Sequence, residues 1–206
     1  SKTGRLQKWP TVPELIEPKR TPQAWLASEF NSLLDATDRC EGYFDSVPRS
    51  LWWRTILMVC LDTGERINAV RQMEWNWLSS DWLNVPAEAR KGRRKDKAYR
   101  LSNTTLGHLT AIRFVSSAKP FPWPYCDSYL WTLYGKLLES AGLPSGRKDK
   151  FHKIRRTTGS VAYAAGLDPQ EVLDHQYRRT TQGYLDPRFT RVQQVSDTTN
   201  DFLTLP

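Results

Sequence analysis

The sequence predicts a mainly α domain with one small β-hairpin. Three observations predict it. Apolar residues recur at helical spacing in one segment after another, and glycines and prolines stand where those segments should end. Only WLNVPAEARKGRRKDKAYRLS breaks the period, with two strand-like pieces around a very basic centre. A chain of 206 residues is long enough for one substantial domain plus an arm or small subdomain.

Each element has a local reason. Residues 1–20, SKTGRLQKWPTVPELIEPKR, mix basic residues with repeated prolines and read as an extended arm or linker. Thr21 and Pro22 suit a helix start, since proline is tolerated in the first turn. Trp25, Leu26, Phe30, Leu33 and Leu34 give that helix an apolar stripe. Ser50 is placed to cap LWWRTILMVCLDTG, and Gly64 to end it. INAVRQMEWNWL reads as another short helix. The two strand-like pieces follow, with Gly92 permitting their turn. NTTLGHLTAIRFVSSAK returns to helical spacing, PFPWP interrupts it, and SYLWTLYGKLLESAG forms a long helix. After the loop GLPSGRKDK, FHKIRRTTGSVAYAAG predicts a helix beginning near His152. Two compact helical turns follow, around DPQEVLDHQ and RRTTQGYLD. The ending FTRVQQVSDTTNDFLTLP carries Phe189, Val192 and Val195 at helical spacing before a loose tail. Packing on its own domain is one reading of that stripe.

Composition narrows the function. The net charge of +8 favours a polyanionic partner, although charge also serves solubility. Charged and polar residues interrupt every apolar run before roughly 18 positions, so no membrane span or signal peptide is expected. Cys40, Cys60 and Cys126 form an odd set without CxxC spacing, the pattern of separate reduced thiols in a cytoplasmic protein. Three scattered histidines without HExxH make a weak zinc inventory, and nothing in the spacing of Asp62, Glu74 and Asp186 singles them out for magnesium. No GxxxxGK[ST] or GxGxxG loop occurs. No metal and no cofactor is expected.

Several residues carry candidate chemistry. His152 and Arg155, three apart, share one helical face and pair a proton carrier with a permanent guanidinium charge. That pair suits a phosphate whose attacking group must lose a proton. A capping histidine beside a solvated arginine has the same spacing. Arg66 follows a helix end and can enter a cleft or pair with Glu65 or Glu74. Lys91 sits in the turn of RKGRRKDK, where a lysine acts as an acid on a leaving oxygen or simply adds to a solvated charge cluster. Arg90, Arg93, Arg94 and Lys95 in the same cluster are candidates for DNA backbone contact. His175 and Tyr184 lie nine positions apart across a turn. A phenol of pKa about 10 needs help to act as a nucleophile, and packing of its ring is the rival reading.

Taken in order, these residues resemble the catalytic domain of the tyrosine recombinases, the phage-integrase family. TGER at 63–66 resembles its first-arginine motif, and HKIR at 152–155 its HxxR motif. LDHQYRRTTQGY at 173–184 resembles the block joining a histidine to the nucleophilic tyrosine. ARKGRRKDKAYRLS resembles the hairpin that carries the catalytic lysine. The similarity covers roughly residues 21–187, leaving 188–206 as a C-terminal tail. It implies DNA cleavage and rejoining through a 3′-phosphotyrosyl bond. Tyr184 would be the nucleophile, His152 the base, Lys91 the acid, and Arg66, Arg155 and His175 would hold the phosphate. The implied partners are double-stranded DNA and further protomers in a synaptic tetramer that exchange their tails, with a second, N-terminal DNA-binding domain that residues 1–20 are too short to supply. DNA relaxation of the type IB topoisomerase kind and a non-catalytic DNA-binding module are the alternatives. Three positions depart from the family pattern. Glu65 replaces an apolar residue, Asp174 a frequent glycine and Arg100 a frequent proline. The register of the hairpin leaves Lys95 as the alternative to Lys91.

Overall fold

The computed structural model describes residues 21–92, 95–116 and 118–190. The elements run α1 (Ala27–Thr37), β1 (Tyr43–Phe44), β2 (Val47–Pro48), α2 (Arg49–Thr63), α3 (Ile67–Arg71), β3 (Leu78–Ser79), β4 (Trp82–Val85), β5 (Lys97–Arg100), α4 (Asn103–Val115), α5 (Asp127–Ser140), α6 (Phe151–Ala164), α7 (Pro169–Leu173) and α8 (Arg178–Gln182). The mainly α class with a small antiparallel sheet is therefore correct. The expected arm 1–20, Arg93, Arg94, and Val192 and Val195 of the expected tail lie outside the described residues. Among the described residues, no helix is long and apolar enough to cross a membrane.

α2 is buried on nearly every side, which its sequence allows because Trp52, Trp53, Ile56, Leu57, Val59 and Cys60 do not leave it a polar face. Each such side chain contributes about 1.5–3 kcal/mol of burial free energy. α1, α4 and α6 pack around this helix. An aromatic cluster closes one end: Phe44 meets Trp52 edge-on at 5.0 Å, and Phe151 stacks on Tyr134 at 4.1 Å. The three-stranded sheet pairs Leu83 with Tyr99 and Val85 with Lys97. Leu83, Val85 and Tyr99 face the core, while Trp82 and Arg100 stay exposed, the alternation a half-buried sheet requires.

Several elements differ from the sequence expectation, among them INAVRQMEWNWL, whose helix ends at Arg71 and whose Leu78 begins β3. The first helix starts at Ala27, not at Pro22. The Ala24 amide donates to Asp186 at 2.7 Å and the Trp25 amide to Thr157 at 2.8 Å, so distant partners hold this segment extended. Glu29 then accepts from the Leu26 amide at 2.8 Å and marks the true start. Ser50 lies inside α2, whose N-cap is Pro48, because the unanticipated β1–β2 hairpin delivers the chain two residues earlier.

Gly64 ends α2 as expected, with φ +62°. A Cβ there would lie 3.0 Å from Leu173 Cδ2 and 3.1 Å from Thr158 Cγ2. Both the left-handed backbone and the close approach demand glycine. Gly64→Ala should therefore lower unfolding stability by about 1–2 kcal/mol from the backbone alone. Denaturant titration measures this, and an unchanged midpoint at constant slope would refute it.

Candidate active site

Arg66, Lys91, His152 and Arg155 line one open cleft of about 680 Å3, walled in part by Trp131 and Phe151. Each reaches it by a different route. Gly64 turns the chain out of α2, and Arg66 then begins α3 as its N-cap. His152 and Arg155 stand in the first turns of α6. Phe151, buried in the aromatic stack, fixes the start of that helix and so the place of the imidazole beside it. The hairpin between β4 and β5 brings Lys91 to the cleft.

Arg155 is buried although it is charged. Its two terminal nitrogens donate to the carbonyls of Gly64 and Leu173, while its Nε has no hydrogen-bond partner among the described residues. The guanidinium thus ties the end of α2 to the end of α7. Burial, then the neighbouring Arg66 charge, draw its pKa below the ordinary arginine value.

Tyr184 follows α8 and is fixed from both sides. Downstream, Asp186 receives the Ala24 amide and pairs with Arg188 at 2.7 Å, while the Asp186 amide donates to Ser160 at 3.0 Å. Upstream, Thr181 lies 3.1 Å from His175 Nδ1. The Tyr184 hydroxyl lies 2.5 Å from His152 Nε2, and its ring packs edge-on against His175 at 4.5 Å. His175 Nε2 is buried and, like Arg155 Nε, lacks a partner among the described residues.

Both imidazoles are held neutral. Partial burial, then the positive field of Arg156, Arg155, Arg66 and Lys91, lower the His152 pKa to about 4. Burial, Arg155, Arg66 and His152 lower His175 likewise to about 4. In its Nδ1–H tautomer, neutral His152 presents Nε2 to accept the tyrosine proton. If Thr181 donates to His175 Nδ1, the opposite nitrogen is a free N–H donor. The arrangement therefore holds a phenol hydroxyl, an imidazole nitrogen able to accept its proton, guanidinium charge and unspent donors. That combination serves displacement at an anionic phosphate.

The hairpin residues separate into distinct roles. Lys91 lines the cleft, whereas Lys95 pairs with Asp174 at 2.8 Å. Arg90, expected to contact DNA, is buried and faces inward, 2.6 Å from Glu65 and 3.0 Å from Asp174. The reason is the Glu65 carboxylate, itself buried and bound by the Tyr99 hydroxyl at 2.5 Å. Sequence reading also passed over Lys97. Its ammonium donates to the carbonyls of Glu171 at 2.6 Å and Val172 at 2.7 Å, joining the hairpin to α7. Burial lowers its pKa to about 8. Only its position opposite Val85 on an inward-facing strand hinted at this. Among the described residues, no three His, Cys, Asp or Glu side chains converge as a metal-ligand set.

The architecture is that of the tyrosine-recombinase catalytic domain. The chain is similar to the XerH site-specific recombinase in its post-cleavage complex with palindromic difH substrate, with TM-score 0.67 and 18% identity over 89% of this chain and 54% of that one. It is also similar to the catalytic domain of bacteriophage HP1 integrase, with TM-score 0.60 and 17% identity over 90% and 98% of the two chains. A lambda integrase tetramer bound to a Holliday junction matches with TM-score 0.62 and 15% identity, over 86% of this chain and 52% of that one. The chain thus spans about half the length of XerH and lambda integrase, and nearly all of the HP1 catalytic domain. No family model and no curated protein matches the sequence.

Two expected outcomes test the site. Imidazole resonances in the free protein should show His152 and His175 still neutral at pH 6, with midpoints near 4. Protonation of either at pH 6 would overturn the account of the field. Arg66 and Arg155 should also differ in stability. Arg66→Ala should leave the unfolding midpoint nearly unchanged. Arg155→Ala leaves two buried carbonyls without their donor, at about 1–3 kcal/mol each. Equal midpoints for the two variants would contradict the tie drawn here.

Proposed function

We propose that this domain cleaves and rejoins DNA strands through a covalent bond between Tyr184 and a 3′ phosphate, as a site-specific recombinase or integrase. The observation that carries the reading is the Tyr184 hydroxyl resting 2.5 Å from the unprotonated His152 beside a cleft of arginine charge. The Tyr184 oxygen attacks the scissile phosphorus while His152 Nε2 takes its proton. Arg66 and Arg155 stabilise the charge on the nonbridging oxygens, and His175 Nε2 adds a hydrogen bond. The bond from phosphorus to the 5′ oxygen breaks as Lys91 donates a proton to that oxygen. The product keeps a phosphodiester-like linkage, so a 5′ hydroxyl from another strand can reverse the step without nucleotide fuel.

Double-stranded DNA is the partner this chemistry requires, and the net charge of +8 supports it. With Arg90 spent internally and Lys95 paired with Asp174, contact of the hairpin with the phosphate backbone falls to Lys91 in the cleft, to the exposed Lys95 and to the proposed contacts Arg93 and Arg94. The fold shared with lambda integrase, which forms a tetramer on a Holliday junction, supports action in an assembly of protomers.

Nicked DNA carrying a candidate site, incubated with the protein and resolved under denaturing conditions, tests the reading. The unaltered chain should form a covalent adduct that Tyr184→Phe abolishes while folding and most DNA affinity persist. The ring remains and only the attacking oxygen is lost. An adduct of normal yield with Tyr184→Phe removes Tyr184 as nucleophile.

A further inference from the structure

Two of the positions that depart from the family pattern, Glu65 and Asp174, are far apart in sequence, yet Arg90 binds both. Its Nε donates to Glu65 at 2.6 Å, and a terminal nitrogen pairs with Asp174 at 3.0 Å. The other terminal nitrogen donates to the Lys95 carbonyl at 3.0 Å. One guanidinium therefore grips the turn before Arg66, the turn before His175 and the far limb of the hairpin. Lys91, which lines the cleft, is the next residue along the chain.

The cost of this arrangement is visible. Asp174 sits in the left-handed region at φ +51°, where glycine would be free of strain. Its carboxylate is occupied by Arg90 and, at 2.8 Å, by Lys95. Glu65 gives up water for Arg90, the Tyr99 hydroxyl and the Arg66 amide at 3.1 Å. These contacts hold its pKa down although burial alone pushes a carboxylate up. A buried ion pair is weak support for stability, because desolvation offsets most of the attraction. Geometry is what such a pair supplies. Only a planar fork with several donors can reach all three acceptors together.

We infer that Arg90 is a positioning residue: clamped between Glu65 and Asp174, it registers the hairpin so that Lys91 delivers its proton to the leaving 5′ oxygen. The inference rests on the strand-cleavage reading above and adds a residue that touches no reacting atom. The Arg90 grip on the Lys95 carbonyl closes the base of the turn, and Asp96 reinforces it by accepting the Ala87 amide at 2.8 Å. The ammonium that protonates the leaving group is thereby tied to the same two turns that present Arg66 and His175.

Leaving-group chemistry tests this directly. A 5′-bridging phosphorothiolate expels sulfur, which does not need comparable protonation. Arg90→Lys keeps a positive charge beside Glu65 but loses the fork. It should slow single-turnover cleavage of ordinary DNA by about tenfold, a part of the 10²–10⁴ that general acid catalysis contributes. On the phosphorothiolate it should cleave near the unaltered rate. Combined with Lys91→Ala, it should be no slower on ordinary DNA than Lys91→Ala alone, since both act on one proton. Asp174→Asn removes one anchor while leaving the Glu65 pair, and should show the same selectivity at smaller amplitude. It serves if Arg90→Lys proves unstable. Equal slowing on both substrates, additive slowing in the double variant, or unchanged rates in both single variants would overturn the inference. Absence of any adduct from the unaltered chain on either substrate refutes strand cleavage itself, and is thereby distinct from failure of the clamp.

Discussion

The Arg155 guanidinium is the constraint on which the site depends. It is buried, and it spends two nitrogens on the carbonyls that close α2 and α7. Those two helix ends leave carbonyls without intrahelical donors, so a cation there meets an existing need. One side chain thus satisfies two helix ends and fixes the distance between the turn leading to Arg66 and the turn leading to His175. The close seating of Gly64 and Gly159 against Leu173 is the packing counterpart of the same junction. Stability and the geometry of the proposed chemistry are not separable at this residue.

Concentrating positive charge in one place has a second consequence. Two histidines beside several guanidiniums stay neutral, which leaves one able to accept a proton and the other able to donate a hydrogen bond. Under the proposed reading, the arrival of an anionic phosphate offsets the field and raises the basicity of His152 at the moment it is needed. Glu65 supplies the only deeply buried carboxylate along this wall among the described residues, and it is already committed to Arg90 and Tyr99. The exposed Glu88 is the other carboxylate among the described lining residues, and Arg66, Lys91 and Arg155 outnumber it.

What the sequence disclosed depended on how local each cause is. Gly64, the face shared by His152 and Arg155, and the short span from His175 to Tyr184 are local patterns: His152 and Arg155 line the cleft, Gly64 accepts from Arg155, and Tyr184 reaches His152. The helix order was legible because apolar spacing is local too. The start of α1 was not, because Asp186 and Thr157, more than a hundred residues away, decide the backbone at Ala24 and Trp25. Arg90 read as one more surface cation in a basic run. Its inward turn is set by Glu65, a partner 25 residues earlier that only the fold brings near. Lys97 was overlooked for the same reason, since its acceptors are carbonyls of a helix still to come.

The contact between Phe151 and Tyr134 carries an implication for behaviour in different ionic surroundings. Nearly every other feature of the cleft is electrostatic, and mobile ions weaken the pull of exposed charges on a polyanion over a distance of about 8–10 Å. The stacked rings that seat His152 are held by dispersion and exclusion of water, which salt does not screen. Under the proposed reading, capture of a phosphate backbone and the placement of the imidazole thus answer to different forces. A rise in ionic strength would then thin the population of occupied clefts while leaving the seat of His152 within each one unchanged.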